Sequence, residues 1–248
     1  MAKDLFSDHS DLYVKYRPTA PKELYGYIYS FVKNFDTAWD CATGNGQAAV
    51  VLAEDFKKVI ASDISEAQMS KAPLRDNIEY VHCSAESTPF DENSFDLVTV
   101  SQAYHWLNFA EFRKEVLRVA KEDAVIAIWT FHRHAVDDDD VNTAVRAFYK
   151  DVTEPYWEYE RRFVDEKYET IEFDYEPLPS REFEAVLQWT RDDLLGYIST
   201  WSALRNYTKA YGGSLLPVIE KELRSLWPAN EAKRVIFPVY LRIGRVKK

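Results

Sequence analysis

An α/β fold built on a doubly wound, mostly parallel sheet is what this 248-residue chain predicts. Two observations carry that expectation. From Thr37 to Trp129, short apolar runs alternate with amphipathic stretches of helical period. Strand and helix in alternation give parallel strands covered on both faces, and right-handed crossovers then wind the sheet in both directions. Near the other end, Arg234 to Val246 alternates apolar and polar residues, so a late strand closes the sheet edge.

In chain order, Pro21 to Phe35 predicts a helix, with Pro21 in an early position and Thr19 as its cap. Ala38 to Cys41 is the first strand, and Gly46 to Phe56 a helix with Ala48, Val51, Leu52 and Phe56 on one face. Lys58 to Ser62 is the second strand, Ser65 to Ala72 a short helix and Ile78 to His82 the third strand. Phe95 to Val100 is the fourth, Phe109 to Ala120 a helix with a Phe112, Val116, Leu117, Val119 stripe, and Ala124 to Thr130 the fifth strand. Asp140 to Val152 is a helix, Arg181 to Trp189 a strand, and Asp192 to Ser199 and Leu215 to Trp227 are helices. Glu154 to Pro179, rich in Tyr, Glu and Pro, fits no period.

No linker rich in Gly or Ser divides the chain, so 1–248 is expected to be a single domain. Residues 1–36 form a helical cap, 37–130 a cofactor-binding core and 131–180 an insertion of unassigned structure. Residues 181–248 supply the strands and helices that close the sheet and the substrate pocket.

Composition excludes several function classes. A hydrophobic share of 46% and a charged share of 29% belong to a globular chain. A net charge of -10 disfavours duplex nucleic acid as the main partner. The opening residues hold no long apolar stretch, and the longest apolar run, Ala124 to Trp129, falls far short of a membrane span. A soluble, cytoplasmic protein without a membrane or nucleic-acid partner is expected, its oligomeric state open between monomer and homodimer. Cys41 and Cys83 predict two buried thiols in a reducing compartment. The run Asp137 to Asp140 lacks the spacing of a calcium loop and reads as a solvated loop entering a helix. His132 and His134 have no third ligand nearby, so no metal is expected. An aromatic share of 15% suits a pocket lined with rings.

Chemistry concentrates where strands end. The first strand runs into Asp40-Cys41-Ala42-Thr43-Gly44-Asn45-Gly46-Gln47 and a helix follows. Glycines let the backbone approach a ligand, and the free amides of a helix start attract polar or anionic groups. Asp63 ends the second strand, where a carboxylate can accept bonds from both hydroxyls of a ribose. Glu86 follows the third strand at the mouth of the same crevice.

The joint pattern from Asp40 to Trp129, an acid-led glycine turn, an acid ending the second strand and Ala85-Glu86-Ser87-Thr88-Pro89-Phe90 leading to Ser94-Phe95-Asp96-Leu97-Val98, resembles class I S-adenosylmethionine-dependent methyltransferases. That family's turn is acid-x-Gly-x-Gly-x-Gly, and Ala42 stands here at the first glycine, which a negative φ would accommodate. The resemblance implies a Rossmann-like sheet of seven strands with the last antiparallel, and S-adenosylmethionine as cofactor with S-adenosylhomocysteine as product. It implies that Asp40, Ala42, Gly44 and Gly46 surround the methionine end, with Thr43, Asn45 and Gln47 of the same turn also binding the cofactor. Asp63 would hold the ribose, Ile64 and Met69 would flank the adenine, and Ser84, Ala85 and Glu86 would meet its edge. Ser101, Gln102 and Ala103, after the fourth strand, complete the cofactor wall.

Ser101-Gln102-Ala103-Tyr104-His105-Trp106 also points at the reacting methyl, and the Asn/Asp-Pro-Pro-aromatic stretch of many amine-methylating relatives is missing. The Gln-Ala-x-His-Trp form, with Tyr13, Tyr16, Arg17 and Pro18 early and Thr200-Trp201-Ser202-Ala203 late, is similar to the trans-aconitate methyltransferase group. The implied reaction is in-line methylation of a small molecule at oxygen. A carboxylate acceptor needs cations, for which Arg17, Arg133 and Arg205 are candidates, while Tyr16, Trp106 and Trp201 would wall the pocket. A hydroxyl acceptor needs a base, and His105 is the candidate catalytic residue. Two alternatives stand beside these: a binding module without turnover, and a nicotinamide-dependent oxidoreductase, whose glycine motif Gly44-Asn45-Gly46-Gln47-Ala48-Ala49 meets with Ala49 in the third place.

Overall fold

The structure, a computed structural model, describes residues 15–248. Tyr13, expected near the substrate, lies outside the described residues. Strands β1 (Thr37–Cys41), β2 (Lys58–Asp63), β3 (Ile78–His82), β4 (Phe95–Ser101) and β5 (Ala120–Phe131) lie in one sheet, parallel to their neighbours, in the order β3-β2-β1-β4-β5. The late strand Lys233–Arg245 runs antiparallel beside β5, with Trp129 opposite Leu241. The strand Glu182–Trp189 pairs antiparallel on its far side.

The expected seven long strands are thus present, together with two strands of two residues. In chain order β6 is Ala135–Val136, β7 is Glu176–Pro177, β8 is Glu182–Trp189 and β9 is Lys233–Arg245. The short pair add no new edge. β6 prolongs the β5 side of β9, and β7 prolongs the β8 side.

Side-chain parity explains why both faces are covered. Ala38, Val59, Leu97 and Val125 point to one face, while Trp39, Ile60, Val98 and Ile126 point to the other, and each set enters a different buried cluster. Helices α1 (Lys22–Tyr29), α2 (Gln47–Leu52), α5 (Asp139–Ala147), α7 (Arg191–Ser199) and α9 (Leu216–Leu226) bury residues in the first cluster. Helices α4 (Phe109–Val119) and α6 (Arg161–Asp165) bury theirs in the second. The remaining helices are α3 (Glu66–Met69) and α8 (Ser202–Tyr211).

Several boundaries differ from expectation for local reasons. α1 starts after Pro21, which caps it with no side-chain bond, so Thr19 is not its cap. It closes at Ser30, whose hydroxyl donates to Tyr27 O at 2.6 Å. α2 ends at Leu52 because the Asn77 amide takes two nearby carbonyls, Ala53 O at 2.9 Å and Phe56 O at 3.0 Å. The helix expected from Asp140 to Val152 starts one residue earlier and widens into a π turn over Phe148–Val152. Within the expected insertion, Glu154–Tyr156 forms a single 3-10 turn before α6. Cys41 is buried, but Cys83 is only partly so, since it leaves β3 toward the cleft described next. Among the described residues, no helix is long and apolar enough to cross a membrane.

Candidate functional site

A cleft of about 490 Å3 opens at the carboxyl ends of β1, β2 and β4, the place where open α/β sheets bind ligands. The turn after β1 forms its floor. Thr43 N donates to Ser62 O at 2.9 Å, joining the turn to β2, and Gly46 N donates to Thr43 O at 3.0 Å. Gly44 (φ 57°) and Gly46 (φ 79°) are left-handed, and a Cβ on Gly46 would stand 2.6 Å from Tyr80 Oη. Both positions therefore demand glycine. Ala42 is left-handed too, at φ 53°, against the negative φ its methyl was expected to require. Such a backbone costs an alanine about 1–2 kcal/mol, and a stiffer unfolded chain returns roughly half of that. The turn holds because its hydrogen bonds over-determine it.

Asp40 is the largest correction to the expected cofactor set. It is 1% exposed and lies beneath the turn, away from the cleft wall. Its carboxylate accepts from Thr43 Oγ1 at 2.5 Å and Thr99 Oγ1 at 2.9 Å. Burial pushes its pKa up to about 6, against the pull of those bonds. Asp40 is a positioning residue for the turn.

Asp63 stands in the cleft wall, with Oδ2 accepting from Gly44 N at 2.7 Å and Oδ1 from Ser65 N at 2.8 Å. Ser65, not Asp63, caps α3 by accepting from Gln68 N. An ionised carboxylate is acceptor-only, which suits it to hydroxyl donors as well as to these amides. Glu86 also lines the cleft, accepting from the Ser84 hydroxyl and from Asn108 N at 2.9 Å, which pins its loop to the start of α4.

Ala42, Thr43, Gly44, Asn45 and Gln47 line the cleft as expected, and so do Ile64 and Ala85. Ser101, Gln102 and Ala103 form its far wall. Gln102 Oε1 accepts from Phe131 N at 2.6 Å and Thr130 Oγ1 at 3.0 Å, which ties the ends of β4 and β5 together. Gly46, Met69 and Ser84 do not reach the wall: Gly46 caps α2, and Ser84 acts through Glu86. In place of Met69, the buried Gln68 lines the cleft, with its Oε1 unpartnered and 3.2 Å from where a Cβ on Gly44 would sit. A helix of four residues turns position 68 inward rather than 69, a distinction that periodicity over so short a span does not resolve.

The expected substrate residues separate into three groups. Arg17 and Trp106 line the cleft. Arg17 donates to Thr200 O at 3.1 Å and stacks on Tyr197, its Cζ 5.2 Å from the ring centroid. Arg133 and Trp201 line a second cavity of about 320 Å3. Tyr16, Arg205 and His105 line neither. Tyr16 packs on Gly196, and Arg205 reaches Glu158 Oε1 at 3.4 Å.

His105 corrects the expected general base. It is 6% exposed, its Nδ1 lies 2.7 Å from Tyr168 Oη, and burial, with Arg161 and Arg17 nearby, lowers its pKa to about 3. A neutral imidazole held away from the cleft takes no proton from a substrate there. Activity is accordingly expected to show no ionisation at the ordinary histidine value, about 6.5, and His105→Asn should leave the shape of the pH–rate profile unchanged between about pH 5 and 8.

Sequence reasoning missed Glu158, Glu160, Tyr197 and Asn206, all in the cleft wall. Glu158 is held by Ser202 Oγ and by Asn206 Nδ2 at 2.9 Å.

Comparison with known proteins agrees with this geometry. Residues 39–128 match the family described as "Methyltransferase domain". A Dictyostelium discoideum protein named "Putative methyltransferase" is 32% identical over 249 aligned residues, covering 98% of this chain and 95% of its own. A solved structure from Anaeromyxobacter dehalogenans, described as a "Putative Type II Methyltransferase", superposes with a TM-score of 0.85 at 33% identity, covering 93% of this chain and 98% of that one. A demethylmenaquinone methyltransferase of Clavibacter sepedonicus is 38% identical over 99 residues, which span 37% of this chain and 40% of that protein.

Proposed function

The chain belongs to the S-adenosylmethionine-dependent methyltransferases, and from that premise we propose that it methylates a carboxylate oxygen of a small organic acid. The carrying observation is the chemistry of the cleft wall. It presents the Arg17 guanidinium, and among the described residues it holds no histidine or lysine. A carboxylate needs a cation to bind it and no base to activate it.

The cleft fits the cofactor. At Gly44 the turn lines the cleft with bare backbone, and Gln68 brings an unpartnered buried oxygen beside it. In this reading Thr43, Gly44 and Asn45 receive the methionine end, Asp63 the ribose hydroxyls, and Ile64, Ala85 and Glu86 the adenine. The acidic wall of Asp63, Glu86, Glu158 and Glu160 suits a ligand that carries ammonium and sulfonium charges. S-adenosylmethionine would supply a methyl carbon on positive sulfur, which would leave as the thioether of S-adenosylhomocysteine, and a carboxylate acceptor would become a methyl ester with no proton to lose. Trp106 and Leu107 exclude water, which strengthens the attraction between the two opposite charges that the reaction cancels. Arg17 holds the acid in line.

Screening organic acids for methyl ester formation tests the proposal; methylation of phenols or alcohols alone would overturn it. Arg17→Ala should raise KM for an acidic acceptor about tenfold, the order of one charge-assisted bond, with KM for S-adenosylmethionine unchanged. An equal rise for neutral acceptors would remove Arg17 from acid recognition.

A further inference from the structure

The second cavity adjoins the cleft and opposes it in charge. Tyr197 lines both, and Phe131 of the cleft is followed directly by His132 of the cavity. Arg133, Arg146 and Arg161 line the cavity, and no carboxylate does. Asp165 meets Arg133 at 3.9 Å and Arg161 at 3.5 Å from outside the lining, so one acid serves two cations. Arg146 donates only to Thr143 Oγ1, at 3.3 Å, and has no carboxylate partner among the described residues. Two positive charges are therefore left over in a chain whose net charge is -10.

Rings complete the cavity. Tyr149, Trp157 and Trp201 pack against one another with centroids 5.1 to 5.6 Å apart. The Arg133 Cζ lies 5.3 Å from the Tyr149 centroid, and that of Arg161 lies 5.1 Å from the Trp157 ring. His134 also lines the wall, and its buried Nε2 has no hydrogen-bond partner. Burial lowers the pKa of His134 to about 4, so at neutral pH it offers an uncharged ring nitrogen.

We propose that this cavity binds the far end of the acceptor: an oxyanion, carboxylate or phosphate, carried on a planar apolar body. The inference rests on the adjoining cleft being the methyl-transfer site. Arg17 then holds the oxygen that is methylated, while Arg133, Arg146 and Arg161 hold a second anionic group too distant to react. Guanidinium groups match an oxyanion with paired bonds. A wall of tilted and edge-on aromatic rings favours a flat body over an aliphatic one. An acidic surface with one cationic hollow also steers such a ligand to that hollow, more strongly at low salt.

Calorimetric titration of the full chain, with and without S-adenosylhomocysteine, tests this with three probes: phenyl phosphate, benzene-1,3-dicarboxylate and the aliphatic propane-1,2,3-tricarboxylate. The aryl anions are expected to bind, and the first two probes tell phosphate from carboxylate. The double variant Arg133→Gln/Arg146→Gln, both residues being exposed, should raise Kd for the aryl anions at least tenfold and leave Kd for S-adenosylhomocysteine unchanged. Failure of both aryl anions to bind, equal binding by the double variant, or tighter binding of the aliphatic acid would each overturn the proposal. Aryl-anion binding with no methyl ester formed would uphold the cavity and remove the carboxylate reading, so the two fail separately.

Discussion

Asp63→Ala should raise Kd for S-adenosylmethionine by about 10- to 100-fold, since charge-assisted hydrogen bonds contribute about 1.5–3 kcal/mol each and tenfold corresponds to about 1.4 kcal/mol. The effect has two parts. In the proposed reading the carboxylate offers acceptors to the ribose, and it also fixes Gly44 N at 2.7 Å and Ser65 N at 2.8 Å, joining the turn after β1 to the start of α3. Alanine removes both functions. Asn keeps one acceptor oxygen, so Asp63→Asn should fall between. Calorimetry reads the affinities, and thermal melting of the ligand-free variants reads the loosening. Wild-type affinity in Asp63→Ala would remove the ribose role.

Glu115→Ala should destabilise the protein by about 2 kcal/mol at neutral pH, within the range for hydrogen bonds to a charged group, or about 4–8 °C in Tm for a chain of this size. Glu115 is 7% exposed. Its Oε1 accepts from Thr88 N at 2.8 Å, Thr88 Oγ1 at 2.5 Å and Arg118 Nη2 at 2.6 Å. Arg118 also donates to Phe90 O at 2.7 Å and Thr88 O at 3.2 Å, so the pair fastens the loop between β3 and β4. Burial raises the Glu115 pKa, but the bonds from Arg118 and Thr88 outweigh it and leave the group below its ordinary value. A carboxylate lowered on folding contributes stability above its unfolded pKa and loses it as pH falls through the folded value. The Tm difference between wild type and Glu115→Gln should therefore be full at pH 7 and shrink as the solution is acidified below that value. A difference independent of pH would mean that packing, not charge, carries the effect. Because the same loop presents Ala85 and Glu86, cofactor affinity should fall with it.

How far the sequence could be read follows from which interactions are local. β1, β2, β4 and β5 were legible because strands covered on both faces leave mostly apolar runs, β3 because it alternates at the sheet edge, and the turn after β1 because its glycines have no other economical use. Helix ends were not, since they depend on distant partners: Asn77 terminates α2 from more than twenty residues away. α8 buries only Ala203 and Leu204 outright, too few apolar positions to mark a face. The position of the cleft was legible because strand ends converge by topology, whereas His105 and Asp40 carried the right residue types with side chains facing the interior. Glu158 and Asn206, 48 residues apart, meet only through tertiary packing, and neither lies in a segment with a period.

The partition at Tyr197 has an evolutionary consequence. The cleft proposed to hold the methyl donor is built mostly from β1, β2, β4 and their loops, while the cationic hollow is drawn from segments after β5. Exchanges at Arg133, Arg146 or Trp157 touch no atom of the glycine turn, so a lineage can retune what it modifies while inheriting its reagent site intact.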